Sequence, residues 1–224
     1  MELRNNNKIV ILSPHLDDAV LSLGSHIVKW QREGKKITVI TIFTRFESKI
    51  KLPRYSWEYI KKSGFDSVKK FELARNKEDR LVMEGLGVRY KYWNFIDAGF
   101  RGWYKTKESL MGGIINYRDK KLVKNIRAKI SSIKTDLILV PFGVGGHVDH
   151  IILKEATKEI KIKNYYLDVP YLWHNFNYIK LFFKIIFAKS VLRDDKKKHE
   201  IFQNYASQYN LIMRENNFFA EVIV

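Results

Sequence analysis

Two hydrophobic rhythms alternate along the 224 residues of this chain. Residues 8–12 form an apolar run that ends at Ser13-Pro14, which suits a strand buried on both faces. Over 18–33 the apolar residues Val20, Leu21, Leu23, Ile27, Val28 and Trp30 return at helical spacing, and Gly34 is a natural stop. Residues 36–43 are a second apolar, β-branched run, so the N-terminal third predicts a βαβ unit. Further on, the pattern predicts helices over 65–86, 121–133 and 149–160 and strands over 90–93, 137–141 and 165–168. Strands alternating with helices predict an α/β fold with a mostly parallel sheet.

Two polar clusters break this pattern at equivalent places. His15, Asp17 and Asp18 follow the first strand, and His147, Asp149 and His150 follow the strand over 137–141. Each cluster opens a helix. Ligands of open α/β sheets bind beyond the carboxyl ends of the strands, so the two clusters are expected to converge. His15 and Asp18, three apart across a turn, can face one ion, and His150 can complete a His, Asp, His set with a position left for water. Zinc fits such a set, and iron or cobalt also do. Asp17 is the candidate general base toward a water that the metal has acidified. His147 is a candidate acid toward the leaving group or a donor to the oxyanion. The competing reading makes Asp17 or Asp18, and Asp149, simple helix caps. Asp149 has a further option, orienting a ligand histidine from behind.

Composition narrows the chemistry. The chain has no cysteine, so disulfides and thiolate sites are excluded and any metal must use His, Asp or Glu. With four prolines and no serine- or glycine-rich tract, one domain over 1–224 is expected. No signal-peptide pattern opens the chain, and no stretch is long enough to span a bilayer, so a cytoplasmic protein is expected. The formal charge of +17 favours anionic partners or reflects a lysine-rich solvated surface.

The paired segments Pro14-His15-Leu16-Asp17-Asp18-Ala19 and Gly146-His147-Val148-Asp149-His150 resemble the signatures of the PIG-L/LmbE family of zinc-dependent N-acetylglucosaminyl deacetylases. The resemblance covers roughly residues 8–210. It implies a Rossmann-like three-layer fold and removal of acetyl from an N-acetyl amino sugar or glycoconjugate. It further implies His15, Asp18 and His150 as metal ligands, Asp17 as base and His147 as the assisting histidine. By the same resemblance Arg75 and Asp97 are substrate-binding, and the segments around Asp168 and Ser207-Gln208 match family segments. Arg75 otherwise reads as a helix residue pairing with Glu78 or Asp79, and Asp97 as a turn residue before Gly99. Leu16 stands where the family has proline and Ala19 where it has glutamate. The resulting Ser-Pro-His-Leu-Asp-Asp-Ala-Val-Leu-Ser form is similar to a branch that includes tailoring deacetylases of amino-sugar natural products.

Residues 171–192 are aromatic and basic, with no acid. They read as core whose lysines reach water, as a contact with anionic membrane or a lipid-linked sugar, or, least of the three, as a nucleic-acid platform. The alternatives to the deacetylase are therefore a deacylase of a lipid-linked or other amide, or a basic nucleic-acid- or membrane-binding protein with a vestigial site.

Overall fold

The computed structural model describes residues 6–47, 49–171, 188–193, 196–213 and 220–224. The segment over 171–192 lies outside the described residues except for Tyr171 and residues 188–192.

Strand β1 (Lys8–Ser13), helix α1 (Asp18–Arg32) and strand β2 (Lys36–Arg45) form the expected βαβ unit. Helices α2 (Arg54–Lys62) and α3 (Val68–Gly85) lead to β3 (Arg89–Ile96). Helices α4 (Lys107–Met111) and α5 (Lys120–Ser131) precede β4 (Leu137–Pro141), α6 (Val148–Ala156) and β5 (Lys163–Tyr166). The C-terminal part supplies β6 (Ser190–Arg193), α7 (Lys196–Phe202), α8 (Ala206–Met213) and β7 (Ala220–Ile223). All seven strands join one sheet in the order β3-β2-β1-β4-β5-β7-β6. β3 through β5 pair in parallel, while β7 runs antiparallel to both β5 and β6.

Side chains alternate between the two faces of a strand, so one unbroken apolar run feeds two cores. Ile9 and Ile11 pack with α1, with Val82 and Met83 of α3 and with Phe202 of α7. Val10 and Leu12 face the other way, toward Val123, Ile126 and Ile130 of α5 and Ile152 and Leu153 of α6. The fold is thus a three-layer α/β arrangement with a mostly parallel sheet, as the spacing predicts, and Rossmann-like, as the family resemblance implies. Helix α6 stops at Ala156, short of the predicted 160. There Thr157 turns its hydroxyl back onto the carbonyls of Leu153 and Lys154, competing with the helix ladder. Among the described residues, no helix is long and apolar enough to cross a membrane.

The antiparallel edge is tied to α1 by one carboxylate. Glu221 of β7 is fully buried and accepts from the Ser25 and His26 amides at 2.7 and 2.9 Å, while its carboxylate lies 2.7 Å from His26 Nδ1. Lys198 of α7 sits 3.1 Å away on the other oxygen. Burial alone would raise the Glu221 pKa, but Lys198 and His26 outweigh it and hold it at about 2. A carboxylate depressed in the folded state stabilises the protein above its unfolded pKa, and the effect is lost as pH falls toward the folded value. Against an unfolded glutamate near 4.3, this is worth about 3 kcal/mol. Glu221→Gln is therefore expected to lower unfolding free energy by about 3 kcal/mol at neutral pH, because the buried Lys198 ammonium loses this carboxylate. In urea melts the gap to wild type should close between pH ~4.3 and ~2. A gap independent of pH would show that the charge is not what matters.

Candidate metal centre

The chain reverses direction across the sheet between β1 and β4: β2 and β3 lie on one side, β5 on the other. This switch point leaves a crevice beyond the carboxyl ends of the strands. His15, Asp17 and Asp18 hang over it from the β1–α1 turn, and His147, Asp149 and His150 from the β4–α6 turn. The register Ile9↔Leu137 to Ile11↔Leu139 sets the two turns at one level.

Neither aspartate of the first cluster caps α1. Asp17 occupies the cap position with no side-chain bond to the helix, and Asp18 Oδ2 turns back to the His15 amide at 2.9 Å. Ser13 Oγ instead accepts from the Ala19 amide at 3.1 Å. Asp17 adopts φ 148°, a left-handed conformation that costs energy in any non-glycine residue. On the second turn Gly145 and Gly146 have φ of 82° and 72°. A Cβ on Gly146 would stand 2.4 Å from the Met111 carbonyl oxygen, and one on Gly145 would stand 2.6 Å from Tyr171 Cβ. Only glycine lets the turn pass this close to its neighbours.

The two clusters meet through Asp18. Its Oδ2 lies 3.1 Å from His15 Nδ1 and 3.3 Å from His150 Nε2. His150 Nδ1 is held by Asp168 Oδ1 at 2.5 Å. That bond places the proton on Nδ1 and turns the Nε2 lone pair inward. His150 is fully buried, and among the described residues its Nε2 makes no hydrogen bond, only the 3.3 Å charge contact with Asp18. His15 Nε2 lies 3.1 Å from Asp149 Oδ2 and 3.4 Å from Asp97 Oδ2. Ring nitrogens of His15, His147 and His150 lie within 4.8 Å of one another. Donors bonded to one tetrahedral zinc at about 2.0–2.1 Å stand about 3.3 Å apart, so the spacing around Asp18 fits an ion.

The charge balance fits as well. Burial disfavours the His15 cation, yet bonds to Asp149 and Asp18 and the field of Asp97 raise its pKa well above the usual value. His150 is likewise opposed by burial and pushed up to about 9 by Asp18 and Asp168. Burial acts to raise the Asp18 pKa, but His150 and His15 hold it well below the carboxylate range. Two buried imidazoles thus draw protons to neutralise the carboxylates, and a divalent cation supplies the same charge. Asp17 differs. Burial pushes it up to about 7, against the pull of Arg75, whose Nη2 is 3.2 Å away. The His147 pKa is depressed well below normal by burial and by the neighbouring His15. Its Nδ1 accepts from the Asp149 amide at 3.3 Å, so neutral His147 carries its proton on Nε2.

The family model for PIG-L, described as GlcNAc-PI de-N-acetylase, matches residues 10–161, more than half of the chain and both clusters. The chain belongs to the PIG-L family. A 2'-N-acetylparomamine deacetylase of Streptomyces fradiae is 28% identical over 176 residues. That match covers 76% of this chain, which spans 60% of the relative's length. The structure of a deacetylase of teicoplanin biosynthesis superposes with a TM-score of 0.70 at 19% identity, covering 97% of this chain and 98% of the other. A teicoplanin deacetylase in its zinc-inhibited form superposes at 0.67, again with 19% identity and 97% and 98% coverage. At such identities the superpositions speak for the fold.

Within this PIG-L chain, Arg75 does not pair with Glu78 or Asp79. Glu78 accepts from Ser207, and Asp79 from Tyr92 and Tyr205. Arg75 is buried beside Asp17, with Nε and Nη1 lacking hydrogen-bond partners among the described residues. Asp97 keeps its turn role, accepting from the Gly99 amide at 2.8 Å, and turns its other oxygen to His15. Gln208 accepts from Tyr59, so the Ser207-Gln208 segment braces α3 and α2. Asp149 does not cap α6; its carboxylate reaches His15, the Ala98 amide and Arg101. The sequence reading assigned no role to Asp168 or Arg101. Asp168 closes the strand predicted over 165–168, a placement close to that of Asp17 and Asp18 after the first strand. For Arg101 there was no such signal. Tyr171, the described start of the aromatic segment, lies 5.6 Å ring to ring from His150 and walls that side of the crevice.

Proposed function

We propose that this PIG-L protein is a metal-dependent hydrolase that removes acetyl from an N-acetylated amino sugar or glycoconjugate. His15, Asp18 and His150 hold the ion, with zinc as the first choice and iron or cobalt as alternatives. The observation that carries the reading is the buried His150 Nε2, without a hydrogen-bond partner among the described residues, locked by Asp168 to face Asp18 at 3.3 Å. When bound, the ion supplies a Lewis acid that acidifies water and polarises the amide carbonyl. Asp17 takes the proton from the attacking water, and its near-neutral pKa suits a group that then returns that proton to the departing amine. Arg75 fixes the Asp17 carboxylate through Oδ2. Neutral His147, protonated on Nε2, is a hydrogen-bond donor to the developing oxyanion rather than a strong acid. Arg75 and Asp97 face the substrate, the former with N–H groups that have no partner among the described residues.

The name of the curated relative, a 2'-N-acetylparomamine deacetylase, supports amino-sugar tailoring. The test is acetate release from N-acetylglucosamine conjugates, lipid-linked ones included, and from N-acetylated aminoglycoside fragments. Protein stripped with chelator is reloaded by titrating zinc, iron(II) or cobalt(II) from below one equivalent, since one structural neighbour has a zinc-inhibited form. Metal-restored release is the expected result. Bound metal with no reactive conjugate would sink the substrate class and leave the site.

A further inference from the structure

We propose that Arg101 is a positioning residue for metal binding: it fixes the Asp149 carboxylate, and Asp149 in turn holds His15 with Nδ1 toward Asp18. This rests on the metal-site reading above.

The geometry forms a chain running away from the crevice. His15 Nε2 meets Asp149 Oδ2 at 3.1 Å, and that oxygen also accepts from the Ala98 amide at 2.9 Å. The other oxygen, Oδ1, is ion-paired with Arg101 Nη2 at 2.7 Å, a close charge contact without hydrogen-bond geometry. Asp149 is thus held by hydrogen bonding at Oδ2 and by the Arg101 charge at Oδ1. An ionised carboxylate only accepts hydrogen bonds, so His15 must present a donor at Nε2, and its Nδ1 is left for the side where Asp18 and His150 converge.

The Arg101 side chain is buried, and among the described residues its contacts are all with protein groups. Its guanidinium lies 5.4 Å from the Phe43 ring and 5.5 Å from the Tyr104 ring. It donates to the Ile96 carbonyl at 2.9 Å and lies 3.3 Å from Asp119 Oδ2. Asp119 is anchored by Tyr104 and Trp103 at 2.7 and 3.2 Å. A planar fork held between rings and a second carboxylate cannot swing, so it fixes Asp149 more tightly than a lysine would.

The experiment compares wild type, Arg101→Gln and Arg101→Lys. Each is checked for folding by circular dichroism, then titrated with cobalt(II) against a competing chelator while the visible absorption of bound cobalt is recorded. Loss of outer partners of ligand histidines typically weakens metal affinity about 10–100-fold. Arg101→Gln is expected in that range with an altered cobalt spectrum, and Arg101→Lys should recover part of both. A folded Arg101→Gln protein with wild-type affinity and spectrum overturns the proposal. If that variant does not fold, Arg101→Lys and Asp149→Asn decide: weakened binding in both supports the chain, and wild-type binding in both overturns it. Wild-type protein that binds no cobalt would overturn the metal site itself, whereas cobalt bound equally by all folded variants removes only the role of Arg101.

Discussion

Asp17→Asn is expected to lower kcat for acetate release by about 10³-fold while metal content stays at the wild-type level. Asparagine keeps the size of the side chain and can still accept from Arg75, whose Nη2 lies 3.2 Å from Asp17 Oδ2. It also tolerates positive φ better than most residues, which matters at φ 148°. What it cannot do is take a proton. Positioned general bases are worth about 10²–10⁴ in rate, and little of that belongs to binding, so KM should change far less than kcat. The pH profile offers a second reading. Asp17 works as the carboxylate, so activity should fall as pH drops through its pKa. That pKa stands at about 7, and a bound cation would draw it lower. The acid limb of kcat should thus lie at or below pH 7 in wild type and be absent from the residual activity of the variant. A kcat within tenfold of wild type would remove Asp17 from the chemistry.

His150→Ala should abolish stoichiometric metal binding and activity together. The alanine removes the proposed ligand nitrogen that faces Asp18 at 3.3 Å, whereas His15 and Asp18 remain bonded to each other at 3.1 Å. The informative companion is Asp168→Asn, which keeps the imidazole but removes the carboxylate that orients it at 2.5 Å. Loss of such an outer partner costs about 10–100-fold in affinity, and loss of the ligand should cost more. Metal analysis after desalting against a weak chelator ranks the three proteins. Because an ion that binds only the folded state raises its stability, zinc should raise Tm in wild type and not in His150→Ala. If His150→Ala retains one equivalent of metal, the ion is held by another donor set, and the group His15, Asp97 and Asp149 becomes the one to test.

Much of the scaffold could be read without a structure. The run over 8–12 predicted a strand covered on both faces, and Ile9 and Val10 do enter opposite cores. The αβ alternation through residue 168 was legible because each element is long or strongly periodic. The elements after it were not. β6 and β7 are four residues each, and β7 is tied to α1 by Glu221, nearly two hundred residues away. No local pattern announces such a bond. Helix α2 was missed as well: it is only nine residues long, no side-chain cap opens it, and only Ser56 and Ile60 are buried.

For the site, the residue types and the turns that carry them were written in the sequence. His15, Asp17, Asp18, His147 and His150 each stand at a strand end, and that placement follows from hydrophobic period alone. Which carboxylate faces which imidazole was decided only by the fold. Asp17 and Asp18 are adjacent in the chain, yet Asp17 turns to Arg75 and Asp18 to His15 and His150. The cap reading of both fails because the strained turn at Asp17 points the two side chains away from the helix amides. Asp168 and Arg101 acquire their roles through parallel strand order and through a loop packed behind the crevice. Local sequence determines which groups can titrate or bind, because that is a property of the side chain. Burial and the direction of each hydrogen bond determine which of them do, and those depend on contacts between segments that only the tertiary structure brings together.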